Sequence, residues 1–313
     1  MSELFVKAPL VYAFTCVRSA PLANLVAFCA RPEGKYRNGG MTISNAGSRW
    51  AFPKEVLIGR IESGRRLAQV VVKMKDEVGA MASVSTLAAS LGVDTRQSST
   101  HSLDDGTAIY NAFVVLKNSD VSLVRLVDRL EKSPFVLQAQ AFEGHDGVVV
   151  DQVSFPVNWQ GRRVIVLSQP ATAKMFEAIR SILGTGGEVV LYQQGLRYGR
   201  DFAEHFVSKV GRDYLARNYD YGLAVLAATG WGIPELNGSK DDFPNITVKL
   251  TSCLECDGIR HDWVVCSFMR GFLSGLFGTI AGHNVHCEET QCKAKGHSHC
   301  EFVLHSGKSV LTR

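Results

Sequence analysis

The chain has 313 residues, of which 46% are hydrophobic and 20% are charged, and its formal net charge is +4. This composition is that of an ordinary globular protein and excludes the disordered and fibrous classes, while the length allows two domains. No apolar run reaches the roughly 18 residues that a transmembrane helix needs, so we expect no membrane partner and a cytoplasmic location.

The positive charge is concentrated at the start of the sequence. Residues 1–54 hold seven basic and two acidic residues, which leaves 27 basic and 28 acidic residues for the rest of the chain. Nucleic-acid-binding domains usually carry a marked basic excess. The sequence therefore does not support direct nucleic-acid binding.

The segment 1–54 has no clear structural pattern. Lys7 and Arg18 interrupt the apolar stretch that a signal peptide keeps unbroken. Two interpretations remain. The segment is either a flexible basic arm or an upstream extension of the reading frame, with Met41 as the true start.

Residues 55–150 are predicted to form the first domain. The β-branched and apolar run 67–74 indicates a buried strand. Asp76 is the predicted N-cap of a helix over 80–91, which places its apolar residues at helical spacing.

A strand, a hairpin turn and another strand follow this helix. The sequence Asp-Asp-Gly at 104–106 predicts the turn, because Gly tolerates positive φ. A second helix, capped by Ser119 or Asp120, leads to a last strand over 135–142. The order βαββαβ predicts a ferredoxin-like sandwich.

This stretch resembles the ACT domain, a small regulatory module that commonly binds amino acids or other small ligands and pairs side by side. The resemblance rests on the order of elements and on Asp-Glu-Val-Gly-Ala-Met at 76–81, the first strand–helix turn. It implies dimerisation or ligand binding through this domain. Gly79 is equally explained by close packing of the helix on the strand.

Residues 151–305 are predicted to form a second, mixed α/β domain, followed by a tail at 306–313. Its predicted elements are a hairpin around 158–161, a helix from Pro170, a mainly helical stretch at 188–228, a break at 229–234, a polar loop at 237–244, a strand at 245–254, a helix at 263–281 and closing strands at 285–289 and 299–304. The whole chain is thus expected to be α+β.

Six of the eight cysteines fall within residues 253–300. Thiolates with imidazole and carboxylate nearby are typical ligands of tetrahedral Zn²⁺. Cys253 and Cys256 have the spacing of a metal-binding turn, but they point to opposite faces if the preceding strand continues through them. We therefore interpret Cys253, Cys256 and Cys287 as buried free thiols.

The remaining cysteines form a recognisable pattern: Cys266, then Glu289-Thr-Gln-Cys292, then Lys-Ala-Lys-Gly-His-Ser-His-Cys300. This pattern resembles the 4-vinyl reductase domain, in particular its zinc-bearing form in the sensory domains of phenol- and xylene-responsive bacterial activators. The resemblance covers about residues 153–304. It implies one Zn²⁺ held by Cys266, Glu289, Cys292 and Cys300.

Three thiolates and a carboxylate fill a tetrahedral shell, so the implied zinc is structural and not hydrolytic. His297 and His299 lie between the last two cysteines. Either histidine is an alternative to Glu289 as the fourth ligand.

The leading hypothesis is a non-catalytic sensor or regulatory protein that binds a hydrophobic or aromatic small molecule and forms a homodimer. Candidate lining residues are Phe206, Trp231, Phe268 and Phe272. The activators that the second domain resembles also carry an AAA+ region and a helix-turn-helix. Neither pattern follows here, so we do not expect a direct transcriptional role.

The alternative is a subunit of a reductase that acts on a tetrapyrrole vinyl group. The Gly-rich run 184–187 precedes a predicted strand, whereas a dinucleotide-binding turn follows one. No arrangement of nucleophile and base stands out either. An enzyme is therefore the less favoured hypothesis, and an adaptor without a ligand is a third.

Overall fold

The computed structural model describes residues 53–117, 121–238 and 242–307. Contacts divide the chain into two compact units, one within Ser48–Ser168 and the other from Gln169 onward. Most of the predicted segment 1–54 lies outside the described residues. Within the described ranges, no helix is long and apolar enough to span a bilayer.

The first unit contains a four-stranded antiparallel sheet with the strand order β3-β4-β2-β5, against which two helices pack. Its elements are β1 (Gly59–Ile61), β2 (Leu67–Lys75), α1 (Ala80–Ser90), β3 (Val93–Ser102), β4 (Thr107–Leu116), α2 (Leu123–Glu131), β5 (Val136–Glu143) and β6 (Val148–Val150). A short hairpin of β7 (Asn158–Trp159) and β8 (Arg162–Arg163) groups with this unit, although the sequence predicts it at the start of the second domain. The predicted βαββαβ order is confirmed for β2 to β5.

Both faces of this sheet are buried. The face toward the helices carries the main core, which includes Val70 and Val72 of β2 and Leu126 and Leu130 of α2. The opposite face carries a smaller cluster of Leu67, Phe113, Val115 and Val149. The antiparallel pair β1–β6 supplies Val149 and so covers this second face.

The predicted helix caps of the first unit are wrong or lie outside the described residues. α1 begins after Gly79, which has φ 94° and makes no side-chain cap bond. The predicted cap Asp76 instead donates its backbone N–H to Gly106, so it still belongs to the sheet edge. α2 is capped by Ser122, while Ser119 and Asp120 fall in an undescribed gap.

The second unit combines four helices at its start with a four-stranded antiparallel sheet and a buried helix. Its elements are α3 (Gln169–Leu183), α4 (Thr185–Val210), α5 (Arg212–Arg217), α6 (Asp220–Ala228), β9 (Ile233–Asn237), β10 (Ile246–Thr251), α7 (Ser267–Ala281), β11 (Val285–Gln291) and β12 (Cys300–Ser306). The strand order is β11-β12-β10-β9.

Two predicted boundaries in this unit need correction. β9 lies where the sequence predicts a break, because Pro234 suggests that no strand is present. Pro234 pairs opposite Leu250 on the edge strand, where a missing N–H donor is tolerated. α7 begins at Ser267 and not at Trp263, since Cys266 is the residue that precedes its first turn.

α4 and α7 cross at unusually close range. A Cβ added to Gly271 of α7 would lie 2.8 Å from the Leu196 nitrogen, and one added to Gly195 of α4 would lie 2.9 Å from the Phe272 nitrogen. Interior glycines each destabilise a helix by about 1 kcal/mol relative to Ala. Here they allow backbone-to-backbone packing, which places α7 at the centre of the unit.

Candidate functional site

Six potential metal ligands meet where α7 begins, and all of them are buried. They come from the turn after β10, the residue before α7, the strand β11 and its end, and the start of β12. The six are Cys253, Cys256, Cys266, Glu289, Cys292 and Cys300.

The four ligands predicted from the sequence are brought together. The donor atoms of Cys266, Glu289, Cys292 and Cys300 all lie within 4.8 Å of one another. Cys266 Sγ is 3.8 Å from the sulfur atoms of both Cys292 and Cys300. A tetrahedral ion with Zn–S bonds of about 2.3 Å separates its sulfur ligands by about 3.8 Å. The donors therefore have the spacing of a tetrahedral site.

Cys253 and Cys256 join the same cluster, which the sequence does not predict. With Cys266 and Cys300 they form a second set of four donors within 4.8 Å of one another. The sulfur of Cys253 is 3.7 Å from that of Cys266, and the sulfur of Cys256 is 3.2 Å from that of Cys300. The signal was the Cys-x-x-Cys spacing itself.

The local backbone explains this difference. β10 ends at Thr251, and Ser252 has φ 53°, so the strand does not continue through the two cysteines. The N–H groups of Cys256 and Asp257 donate to the carbonyl of Cys253, which closes a turn. The turn directs both thiols to one side.

Cys287 is buried in β11 but belongs to neither set. Burial raises the pKa of its thiol, so it stays protonated. Its interpretation as a buried free thiol agrees with this position.

Glu289 is the one carboxylate of the cluster. Its Oε2 accepts a hydrogen bond of 2.9 Å from the Cys266 N–H, while its buried Oε1 has no hydrogen-bond partner among the described residues. Burial raises the pKa of Glu289 to about 9, and the neighbouring Cys292 contributes further. A buried acceptor without a donor is unfavourable, and a cation beside Oε1 would satisfy it. The donors thus fit a divalent metal ion in both spacing and chemistry.

The two candidate histidines lie beside the cluster but belong to neither set of four donors. Nδ1 of His297 lies 3.3 Å from the N–H and 3.1 Å from the carbonyl of Cys292. Nδ1 of His299 lies 2.8 Å from Ser298 Oγ. The positions favour a supporting role for His297 in holding the loop at Cys292.

The start of α7 is also fixed by a buried ion pair that sequence reasoning missed. Glu255, between the two cysteines of the turn, accepts from the N–H groups of Phe268 and Met269 at 3.1 and 2.9 Å. Arg180 of α3 donates to Glu255 and, at 2.6 Å, to the Val265 carbonyl. Burial raises the pKa of Glu255 to about 8, and Arg180 opposes this shift.

Aromatic side chains surround the first turns of α7. Trp231 lies 5.8 Å from Phe268 and 5.2 Å from Phe272, measured between ring centroids. Tyr198 of α4 lies 5.3 Å from Trp231 and is 49% exposed, whereas Phe268 and Phe272 are buried. Three of the four predicted lining residues therefore contact one another, and Tyr198 was missed.

Phe206, the fourth predicted lining residue, joins this group through an intermediate ring. Its centroid lies 5.0 Å from that of Phe202, which in turn lies 5.6 Å from Phe272. Phe206 is itself buried. The partly open side of the aromatic cluster is thus at Tyr198 and Trp231, with the phenylalanines beneath.

Comparison with known proteins identifies part of the second unit. Residues 246–306 match the family model of the 4-vinyl reductase domain. All six clustered donors lie within the matched residues. The resemblance to the 4-vinyl reductase domain family is confirmed.

Relatives and solved structures show partial likeness. An uncharacterized protein of Methanocaldococcus jannaschii, MJ0150, is 26% identical over 134 residues, which are 42% of this chain and 73% of the relative. The phenol-responsive sensory domain of the transcription activator PoxR is 17% identical with a TM-score of 0.39, over 47% of this chain and 79% of that domain. The ACT domain of GTP pyrophosphokinase from Chlorobium tepidum is 22% identical with a TM-score of 0.22, over 25% of this chain and 99% of that domain.

Proposed function

We propose that this chain, which matches the 4-vinyl reductase domain at residues 246–306, is a non-catalytic sensor or regulatory protein for a hydrophobic or aromatic small molecule. One observation carries the proposal. α7 joins the aromatic cluster to the cluster of metal ligands, because Cys266 precedes its first turn while Phe268 and Phe272 lie on its first two turns. A molecule that contacts these rings would therefore act on a helix whose start is fixed by the metal ligands.

The aromatic cluster has the composition of a ligand site. Binding sites for small molecules are mostly apolar, with few polar groups. Trp231 and the half-exposed Tyr198 lie over buried Phe268 and Phe272, so an incoming ring can stack on the upper pair and contact the lower pair. Stacking of this kind is worth about 0.5–1.5 kcal/mol for each aromatic pair beyond area burial.

Zinc would serve as a structural ion in this protein. Cys266, Glu289, Cys292 and Cys300 fit it in number and spacing, and an ion there would tie the start of α7 to β11 and β12. Holding these elements together supplies folding free energy and leaves no open position for substrate chemistry.

The first unit is proposed to act as an ACT-like regulatory module. On this proposal residues 55–150 are the regulatory domain and 151–305 the ligand-binding domain. Homodimerisation would follow from side-by-side pairing, as in the ACT domains that this stretch resembles.

A thermal-shift screen with phenols, aromatic hydrocarbons and amino acids tests the proposal. A ligand at 100 times its dissociation constant should stabilise the protein by about 2.7 kcal/mol. Trp231→Leu should abolish the shift for a ligand of the aromatic cluster. Trp263→Leu is the matched control, because Trp263 is exposed and outside that cluster. Stabilisation by no compound in the panel would contradict the proposal.

The absorbance spectrum of the purified protein separates this function from a reductase subunit. A sensor of small aromatic molecules should show protein absorbance alone. A co-purifying tetrapyrrole would absorb in the visible range and would favour the reductase hypothesis instead.

A further inference from the structure

The cluster at the start of α7 holds more ligands than one tetrahedral ion uses. One ion on the predicted set leaves Cys253 and Cys256, whose sulfur atoms lie 3.7 and 3.2 Å from those of Cys266 and Cys300. These two thiols are not packed as ordinary core cysteines. Together with Cys266 and Cys300 they complete a second set of four donors.

We propose that this cluster binds two divalent, thiolate-preferring ions of the Zn²⁺ class, bridged by the thiolates of Cys266 and Cys300. Cys253 and Cys256 complete the shell of one ion, and Glu289 and Cys292 complete that of the other. The inference rests on the metal site of the proposed function and extends it from one ion to two.

The number of donors supports two ions. Two tetrahedral ions need eight coordination bonds, and two bridging ligands supply two bonds each, so six donors suffice. The cluster has six donors, five thiols and one carboxylate, and the two sets of four share two members, Cys266 and Cys300. Each set is complete, and all six donors of the cluster are used.

The distances agree with two tetrahedra that share an edge. The bridging sulfurs of Cys266 and Cys300 are 3.8 Å apart, as two ligands of one tetrahedral zinc are. Cys253 lies 3.7 Å from Cys266 on one side, and Cys292 lies 3.8 Å from Cys266 in the other set. Cys266 therefore has neighbours at ligand spacing in both sets, as a bridging thiolate requires.

The charge balance also favours a second ion. Fully deprotonated, five thiolates and one carboxylate carry six negative charges, which two dications reduce to two. Uncompensated charge in a buried site is strongly unfavourable. Binding releases the thiol protons to solvent, since the ligands must be deprotonated. Both ions keep their oxidation state.

A surface cleft gives access to one side of the cluster. It has a volume of about 320 Å³, and its lining includes Cys256, Lys293 and His297. An ion can therefore reach the set of Cys253 and Cys256 from solvent without opening the core around α7.

Metal counting on the full-length protein tests the proposal. The protein is stripped of metal under reducing conditions and reloaded with Zn²⁺ alone or with Cd²⁺ alone, then measured by native mass spectrometry. We expect two ions per chain, two cadmium NMR resonances, and a metal–metal scattering peak in X-ray absorption. One ion per chain would overturn the bridged pair but leave the proposed structural zinc in place. No bound ion would overturn both.

Variants assign the ions to their sets. Cys256→Ser and Cys292→Ser should each lower the count from two ions to one, whereas Cys300→Ser should lose both ions or their spectroscopic coupling. If Cys256→Ser keeps two ions, the proposal is wrong. Where a variant does not fold, the resonances and the metal–metal peak of the unaltered protein still decide.

Two controls exclude metal bound elsewhere. Cys287→Ser removes a buried thiol that belongs to neither set and should keep two ions. The double variant Cys16→Ser/Cys29→Ser removes the cysteines outside residues 253–300 and should also keep two. A count of one in this double variant would show that the second ion is adventitious.

Discussion

Gly199 of α4 faces the backbone of α7 so closely that no side chain fits between the two helices. A Cβ on Gly199 would lie 2.9 Å from the Leu276 nitrogen and still closer to the Phe272 carbonyl oxygen. The atoms in the way are backbone atoms of a buried helix and cannot rotate aside. The crossing of α4 and α7 therefore depends on glycine at this position.

Gly199→Ala should accordingly destabilise the second unit. Overpacking in a filled core costs about 1–3 kcal/mol, and more where backbone must move. The measurement is the free energy of unfolding in urea. Gly186→Ala is the matched control, because its Cβ would meet only the Leu183 Cβ, at 4.0 Å, and alanine favours the helix. Equal effects of the two substitutions would contradict this account of the crossing.

Regular elements were the part of the fold that the sequence predicts well. The strands β2 and β4 and the helices of the first unit follow from runs of apolar residues with periods of two and 3.6. Their ends were harder, because single backbone conformations decide them. Gly79 turns the chain into α1 with positive φ, so the polar residue that looks like a cap is not used.

Long-range contacts account for what was missed at the candidate site. The four predicted donors follow from a motif near the end of the chain. Cys253 and Cys256 join them because Ser252 adopts a positive φ that ends β10, which is rare for a residue other than glycine. The contact of Arg180 with Glu255 joins residues 75 positions apart, and no local pattern announces it.

Arg180→Met should destabilise the second unit by about 3–5 kcal/mol, because it leaves the fully buried Glu255 carboxylate without its cation. The double variant Arg180→Met/Glu255→Gln should recover part of the loss, since glutamine still accepts from the N–H groups of α7. Urea unfolding measures both. Arg197→Met, at an exposed position on α4, is the control and should have little effect. Strictly additive losses in the double variant would contradict the ion-pair explanation.

Asp151 should make the first unit sensitive to acid. Burial raises the pKa of its carboxyl, but hydrogen bonds from Ser154, the Val153 N–H and Gln69 outweigh this and hold the pKa below its usual value. A depressed pKa in the folded state stabilises the protein above the pKa of the unfolded state, about 3.9. That stability is lost as the pH falls through the folded-state pKa.

Asp151→Asn should remove this acid dependence and destabilise the first unit by about 1–3 kcal/mol at neutral pH, because the amides of buried Gln69 and Asn111 lose a charged acceptor. Unfolding free energies between pH 3 and pH 7, in the range of about one unit below to three above the reference carboxyl pKa, give the slope. The control Asp128→Asn breaks an exposed pair with Lys132 and should change stability by only a few tenths of a kcal/mol. An unchanged slope in Asp151→Asn would assign the acid sensitivity to other carboxyl groups.

Removal of metal should loosen the second unit selectively. All six clustered donors lie between residues 253 and 300, so a chelator takes away the link between the turn after β10, the start of α7 and the strands β11 and β12. Structural zinc contributes several kcal/mol to the folding of small metal-binding domains. Hydrogen exchange after chelation should therefore show faster exchange in α7, β11 and β12, while α1 and α2 keep their protection. Restoring Zn²⁺ should restore protection, and Cys287→Ser should respond to the chelator as the unaltered protein does. Equal loss of protection in both units, or none in α7, would show that the ion does not hold these elements together.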